Sequence, residues 1–155
     1  MHTQQQIGPD QVRALRGEIR DCLQHELATL MCLDRPRVRS LLEPDGEPLE
    51  LSERAVLETE LDAINERIVR VRGYLARLHE PGHSIAARTD GAVLVDLGDG
   101  PRLTLLAELA VPEIAAVVPV DSPLGVALLG AAAGDIVHYP TPLGARSARV
   151  LAVEA

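Results

Sequence analysis

The densest chemistry in the chain lies between residues 41 and 60, where Glu43, Asp45, Glu47, Glu50, Glu53, Glu58 and Glu60 face a single base, Arg54. Seven acids against one Arg leave this stretch with a net charge of −6. Carboxylates at that density suit the coordination of a hard divalent cation such as Mg²⁺, which can activate water and stabilise a leaving oxygen. The plainer reading is a solvated turn followed by helix-start acids, since negative charge is favoured at the positive end of a helix dipole. Just before the acids, Arg35, Arg37 and Arg39 form a small basic patch, suited to a phosphate or merely to offsetting its neighbours. All 15 basic residues are Arg, so a P-loop and a lysine Schiff base are both excluded. His79 and His83, four apart, and Cys22 and Cys32 are read as structural rather than as zinc ligands.

The chain that must position these groups has 155 residues, enough for one ordinary domain or two small ones. Its net charge of −8 argues against general binding to nucleic-acid backbones, DNA included, which requires excess positive charge. No stretch approaches the roughly 20 apolar residues of a membrane helix. Residues 1–6 lack the order of a signal peptide, so a cytoplasmic location without membrane association is expected. Cys22 and Cys32, ten residues apart on one helix, would stand about 15 Å from each other, too far for a disulfide, and are expected as reduced thiols in or near the core.

Two elements dominate the first half. Val12, Leu15, Ile19, Leu23, Leu27 and Leu30 recur three and four apart after Gly8, Pro9 and Asp10, which predicts a helix with one buried stripe that Pro36 ends or kinks. A second helix is predicted to open at Ser52. Its apolar residues Leu57, Leu61, Ile64, Ile68, Val71, Leu75 and Leu78 follow a heptad seam until Pro81 and Gly82. Joined through Glu43-Pro44-Asp45-Gly46-Glu47-Pro48, the two read as an antiparallel hairpin; two arms of a bundle or a dimer's coiled coil would give the same pattern.

After Gly82 short apolar runs alternate with turn residues. Residues 92–97 and 102–106 predict a β-hairpin around Gly98-Asp99-Gly100-Pro101. Residues 114–120 predict a third strand, 124–129 a short helix, and 136–139 with 149–153 a closing pair around Pro142-Leu143-Gly144. The fold class is α+β.

Asp121-Ser122-Pro123-Leu124-Gly125-Val126-Ala127-Leu128-Leu129-Gly130, followed by Gly134-Asp135 and Thr141-Pro142, resembles the C-terminal signature of the GreA/GreB transcription factors. Each piece also has a local reading: Ser122 caps a helix with Pro123 at its first position, Gly130 ends it, and Gly134-Asp135 turns into a strand. With the heptad hairpin ahead of it, the resemblance extends over nearly the whole chain. It implies a helical hairpin over residues 8–80 with an acidic tip near 43–53, and an FKBP-like domain over 83–155.

The resemblance also implies a partner, bacterial RNA polymerase. Residues Asp121, Ser122, Pro123, Leu124 and Gly125 would dock at the rim of its secondary channel while the hairpin enters. The tip acids Glu43, Asp45, Glu47 and Glu50 would then approach the catalytic Mg²⁺ of the polymerase, with Glu47 and Glu50 aligned to the family's paired acids. Arg35, Arg37 and Arg39 would lie near the nascent RNA 3′ end. Any cleavage would be the polymerase's own, and no cofactor of the chain itself is implied. The family's usual Asp at the first tip position is here Glu47, whose extra methylene moves the carboxylate by about 1.5 Å. A misplacement near 1 Å can cost on the order of 10²-fold in rate. The expectation is therefore a divergent, inhibitory, non-cleaving member, with a cleavage-stimulating factor as the alternative. A coiled-coil adaptor and a prolyl isomerase are readings of another class; the isomerase is disfavoured because the C-terminal half offers only Tyr139 to line a pocket.

Overall fold

The computed structural model describes residues 6–43, 48–78, 87 and 89–154. The turn residues 44–47, the predicted stop at Pro81 and Gly82, and His79 and His83 lie outside the described residues. Two compact units emerge, Arg20–Arg77 and a second that combines Met1–Ile19 with Leu78–Ala155.

The helical unit contains the second part of α1 (Pro9–Thr29), from Arg20 onward, a π-turn (Leu30–Asp34), α2 (Arg35–Leu42) and α3 (Leu51–Arg77). Val38, Ile64 and Ile68 form its buried centre, with Leu27, Leu30, Met31, Leu42, Leu57 and Leu61 packed around them. The arms run antiparallel: Glu26 pairs with Arg67, and Arg37, further along the first arm, pairs with the earlier Glu60. The predicted seam is therefore real, with one addition. Tyr74 is fully buried whereas Leu75 is only half-buried, so the stripe passes from Val71 through Tyr74 to Leu78.

Pro36 does not end the first arm. It sits in the first turn of α2, where its missing N–H is tolerated, and the helix widens just before it. Within that π-turn the Arg35 N–H donates to the Leu30 carbonyl, one residue further back than in an α-helix. Cys32 is exposed on this turn and Cys22 is half-buried; neither forms a disulfide. The expected core or near-core placement thus fails for Cys32. The second arm starts at Leu51, one residue before the predicted Ser52, and the Arg54 N–H donates to the Glu50 carbonyl at 2.9 Å.

In the second unit, β1 (Ala92–Asp96) and β2 (Pro101–Ala107) form the predicted hairpin. Its turn is fixed by the Asp96 carboxylate, which accepts from the Gly98 and Gly100 N–H groups, and both glycines take positive φ. The sheet order is β3-β2-β1-β5-β4, with β3 (Val117–Pro119) parallel to β2 and the other pairs antiparallel. The strand β3 is shorter than the predicted 114–120, because two turns closed by Ile114 N–H to Val111 O and Val117 N–H to Ile114 O use up its first residues. The strands β4 (Ile136–Thr141) and β5 (Gly144–Val153) are longer than predicted. One face of the sheet buries Val93, Val95, Leu106 and Val150 against Leu128 of α4 (Pro123–Leu128).

The first residues of α1 belong to this unit through chemistry as well as proximity. Arg16 donates to both Glu154 carboxylate oxygens at 2.6 Å and to the Asp90 carbonyl at 3.0 Å. Glu154 in turn accepts from the Ala92 N–H at 2.9 Å, where β1 begins. Among the described residues, no helix is long and apolar enough to cross a membrane.

Candidate functional site

The corner at residues 119–125 is built around one hydroxyl. Ser122 has extended backbone angles, and its Oγ accepts from the Gly125 N–H at 3.1 Å while donating to the Pro119 carbonyl at 2.6 Å. The first bond caps α4; the second ties the cap to the end of β3. Pro123 follows at the start of the helix, where its fixed φ is already helical. Gly125 is buried against the same carbonyl, and a Cβ there would stand 1.9 Å from Pro119 O. Only glycine allows the helix to pass so close to β3.

These five residues divide by role. Gly125 is buried, and Leu124 packs on the sheet core. Asp121 and Pro123 are exposed, and so are Val126 on α4 and Leu129, which caps its C-terminal end. The surface a partner would meet at this corner is therefore Asp121, Pro123, Val126 and Leu129, two of which the sequence reading left out. Helical spacing of three between Val126 and Leu129 was the available signal.

At the other candidate site, Glu43 closes α2 and Glu50 immediately precedes α3, both exposed; Asp45 and Glu47 lie outside the described residues. Helix electrostatics accounts for only part of this. Glu50 and Glu53 stand at the positive end of α3, where carboxylates stabilise the helix, but Glu43 stands at the negative end of α2, where they do not. Not all seven acids are free to act together: Glu60 accepts from Arg37 at 2.8 Å and Glu58 from Arg54 at 2.9 Å. The same contact removes Arg37 from the basic patch, leaving Arg39 exposed and Arg35 half-buried. No group of three or more His, Cys, Asp or Glu arranged for a metal ion occurs among the described residues. The corner belongs to the sheet unit and the acids to the helical unit.

An α+β chain with a heptad-patterned helical hairpin and a five-stranded sheet domain bearing a Ser-Pro capped helix is thus defined. Residues 106–155 match the family model described as transcription elongation factor, GreA/GreB, C-term. The match covers the C-terminal third of the chain, which is similar to the C-terminal domain of GreA/GreB factors. No curated protein matches it. Among solved structures, the transcription factor Gfh1 is similar at 20% identity over 100% of both chains, with a TM-score of 0.41. The GreA factor homolog 1 (Gfh1) protein of Thermus thermophilus follows at 21% identity, 99% of this chain and 100% of that one, TM-score 0.38. A prokaryotic transcription elongation factor GreA/GreB from Nitrosomonas europaea shares 23% identity over 80% of this chain and 94% of its own, TM-score 0.36. The likeness to GreA/GreB rests on the C-terminal match and not on these overlays.

Proposed function

We propose that this chain binds RNA polymerase in the cytoplasm and inserts the acidic end of its helical hairpin into the secondary channel, inhibiting synthesis without stimulating transcript cleavage. The observation that carries this reading is the GreA/GreB match over residues 106–155, which includes the capped corner at Ser122, Pro123 and Gly125. Glu43 supports a role for the acidic end, because its place at the C-terminal end of α2 brings no helix stabilisation and needs another reason. A channel ending at Mg²⁺ supplies one, since opposite charge attracts carboxylates strongly in a confined, poorly solvated space.

Inhibition is favoured over cleavage for two reasons. The paired acids of the family correspond here to Glu47 and Glu50, and the longer Glu at the first place shifts its carboxylate relative to Asp. Moreover, Glu58 and Glu60 are engaged by Arg54 and Arg37, so the charge left for the metal is smaller than the composition suggests. The chain is no enzyme in this scheme, and any hydrolysis belongs to the polymerase. Arg35 and Arg39 are the residues proposed to meet the nascent RNA 3′ end.

The test is a stalled, backtracked elongation complex incubated with the chain and Mg²⁺, beside an initiation assay. Reduced synthesis with no shortening of transcripts above the intrinsic rate is expected, relieved by Glu47→Ala with Glu50→Ala. Shortened transcripts would reverse the assignment to a cleavage factor; no binding to polymerase would remove it.

A further inference from the structure

The π-turn of the first arm carries the one thioether of the helical unit. Met1 and Met31 are the only methionines of the chain. Met31 is half-buried and packs against the Val38, Ile64 and Ile68 centre of the hairpin. The other side chains described in that cluster are Leu, Ile or Val, so Met31 alone brings a heteroatom to it. Its Sδ accepts from the Arg72 guanidinium at 3.1 Å, across the two arms and 41 residues away in sequence, and the contact is open to solvent. The aliphatic part of the side chain thus fills the seam, and the sulfur stands at its rim.

Packing alone needs no sulfur here, since Leu occupies a similar volume. A thioether is also a weak acceptor, a poor match for a guanidinium with five donors. Arg72 is exposed, and among the described residues it pairs with no carboxylate, in contrast to Arg37, Arg54 and Arg67. A cation with donors to spare is therefore held beside the one group of the hairpin core that oxidation turns from a weak acceptor into a strong one. Single π-turns within helices frequently mark functional positions, and this one presents the sulfur.

We propose that Met31 is a site of oxidation by peroxides and that its sulfoxide is clasped by Arg72, which makes this contact a redox-sensitive tie between the two arms. In the reaction a sulfur lone pair attacks one oxygen of hydrogen peroxide and the O–O bond breaks. The proton on the transferred oxygen passes to the departing hydroxide, which leaves as water. The sulfur is oxidised by two electrons and the peroxide is reduced by two. In a closed core a sulfoxide disrupts packing because it is polar. At this solvent-open contact the long, exposed Arg72 can follow the new oxygen, and a charge-assisted bond to a strong acceptor replaces one to a weak acceptor. The inference does not depend on the polymerase reading.

The test treats the full chain with dilute hydrogen peroxide, locates the gained oxygen by peptide mass spectrometry and follows thermal unfolding by circular dichroism. Wild type is compared with Met31→Leu, which keeps the volume, and with Arg72→Ala, which removes the donor from an exposed helical position. Any oxidation of Cys22 or Cys32 is common to all three and is read from Met31→Leu. Met31 is expected to take up one oxygen at a rate within about tenfold of that of free methionine, as its exposure to solvent demands. The fall in melting temperature caused by oxidation is expected to be larger in Arg72→Ala than in wild type by about 4 °C or more. No oxygen on Met31 would overturn the site. Equal falls in wild type and Arg72→Ala, including none in either, would overturn the clasp, and a fall of the same size in Met31→Leu would assign the effect to the cysteines instead.

Discussion

At the scale of single residues, the corner before α4 makes the sharpest demands. Replacing Gly125 by Ala puts a carbon 1.9 Å from a backbone oxygen that cannot swing away, so the helix or β3 must shift. A loss of about 3 kcal/mol is expected in urea unfolding, near the upper end for overpacked sites. Ser122 separates two roles of one hydroxyl. Ser122→Ala should cost about 1 kcal/mol as a lost cap. Ser122→Thr keeps both bonds and should fall close to wild type. Ser122→Asp keeps the cap but turns an acceptor towards the Pro119 carbonyl, and should recover less than Thr. An Asp variant as stable as Thr would show that the bond to Pro119 contributes nothing. This corner was legible in the sequence because its chemistry is local: cap, proline and glycine lie within four positions. The state of the acids was not, because Arg37 and Glu60 are 23 residues apart and meet only once the two arms pair.

At the scale of elements, burial and surface charge contribute unequally to the hairpin. Ile68 is 2% exposed in the seam, and Ile68→Ala should cost about 2 to 4 kcal/mol. The Arg37–Glu60 pair has both side chains about half exposed, so Arg37→Ala should change stability by no more than roughly 1 kcal/mol. Helix unfolding followed by circular dichroism checks the ordering, and an Arg37 effect as large as that of Ile68 would contradict it. The seam itself could be read beforehand because seven apolar residues repeat at heptad spacing. What periodicity missed has specific causes. Tyr74 and Leu75 are adjacent, and the pattern alone favours the aliphatic residue; packing placed the larger ring inside. Pro36 looks like a stop because it removes a hydrogen bond, yet one π-turn absorbs that defect and the arm continues. The run at 114–120 is as apolar as a full strand, but backbone hydrogen bonds within its first residues close turns before the ladder begins.

At the scale of the whole molecule, the sheet unit is discontinuous in sequence: residues 1–19 and 78–155 complete it, and the helical unit is the segment between them. Sequence reading drew a boundary near residue 80 and gave the first residues of α1 to the hairpin, since one unbroken helical stripe offers no mark where its allegiance changes. What binds those residues to the sheet unit is Arg16, whose side chain and that of Glu154 are each 21% exposed. A bidentate, charge-assisted pair that sheltered is stronger than a surface bridge, though solvent still screens part of it. Arg16→Met, which keeps length and apolar bulk, should cost about 1 to 2 kcal/mol. For a unit of this size that corresponds to a fall of roughly 5 to 15 °C in its melting temperature. Glu154→Gln should cost less than Glu154→Ala, because an amide oxygen can still accept from Arg16 and from the Ala92 N–H, whereas Ala leaves that amide without its acceptor. Hydrogen exchange at Ala92 gives a local reading of the same event: protection should fall in Glu154→Ala and largely persist in Glu154→Gln. If Arg16→Met melts with the wild type and Ala92 exchange is unchanged in Glu154→Ala, then the clasp does not hold α1 to the sheet, and the buried side chains of Val12, Leu15 and Ile19 suffice.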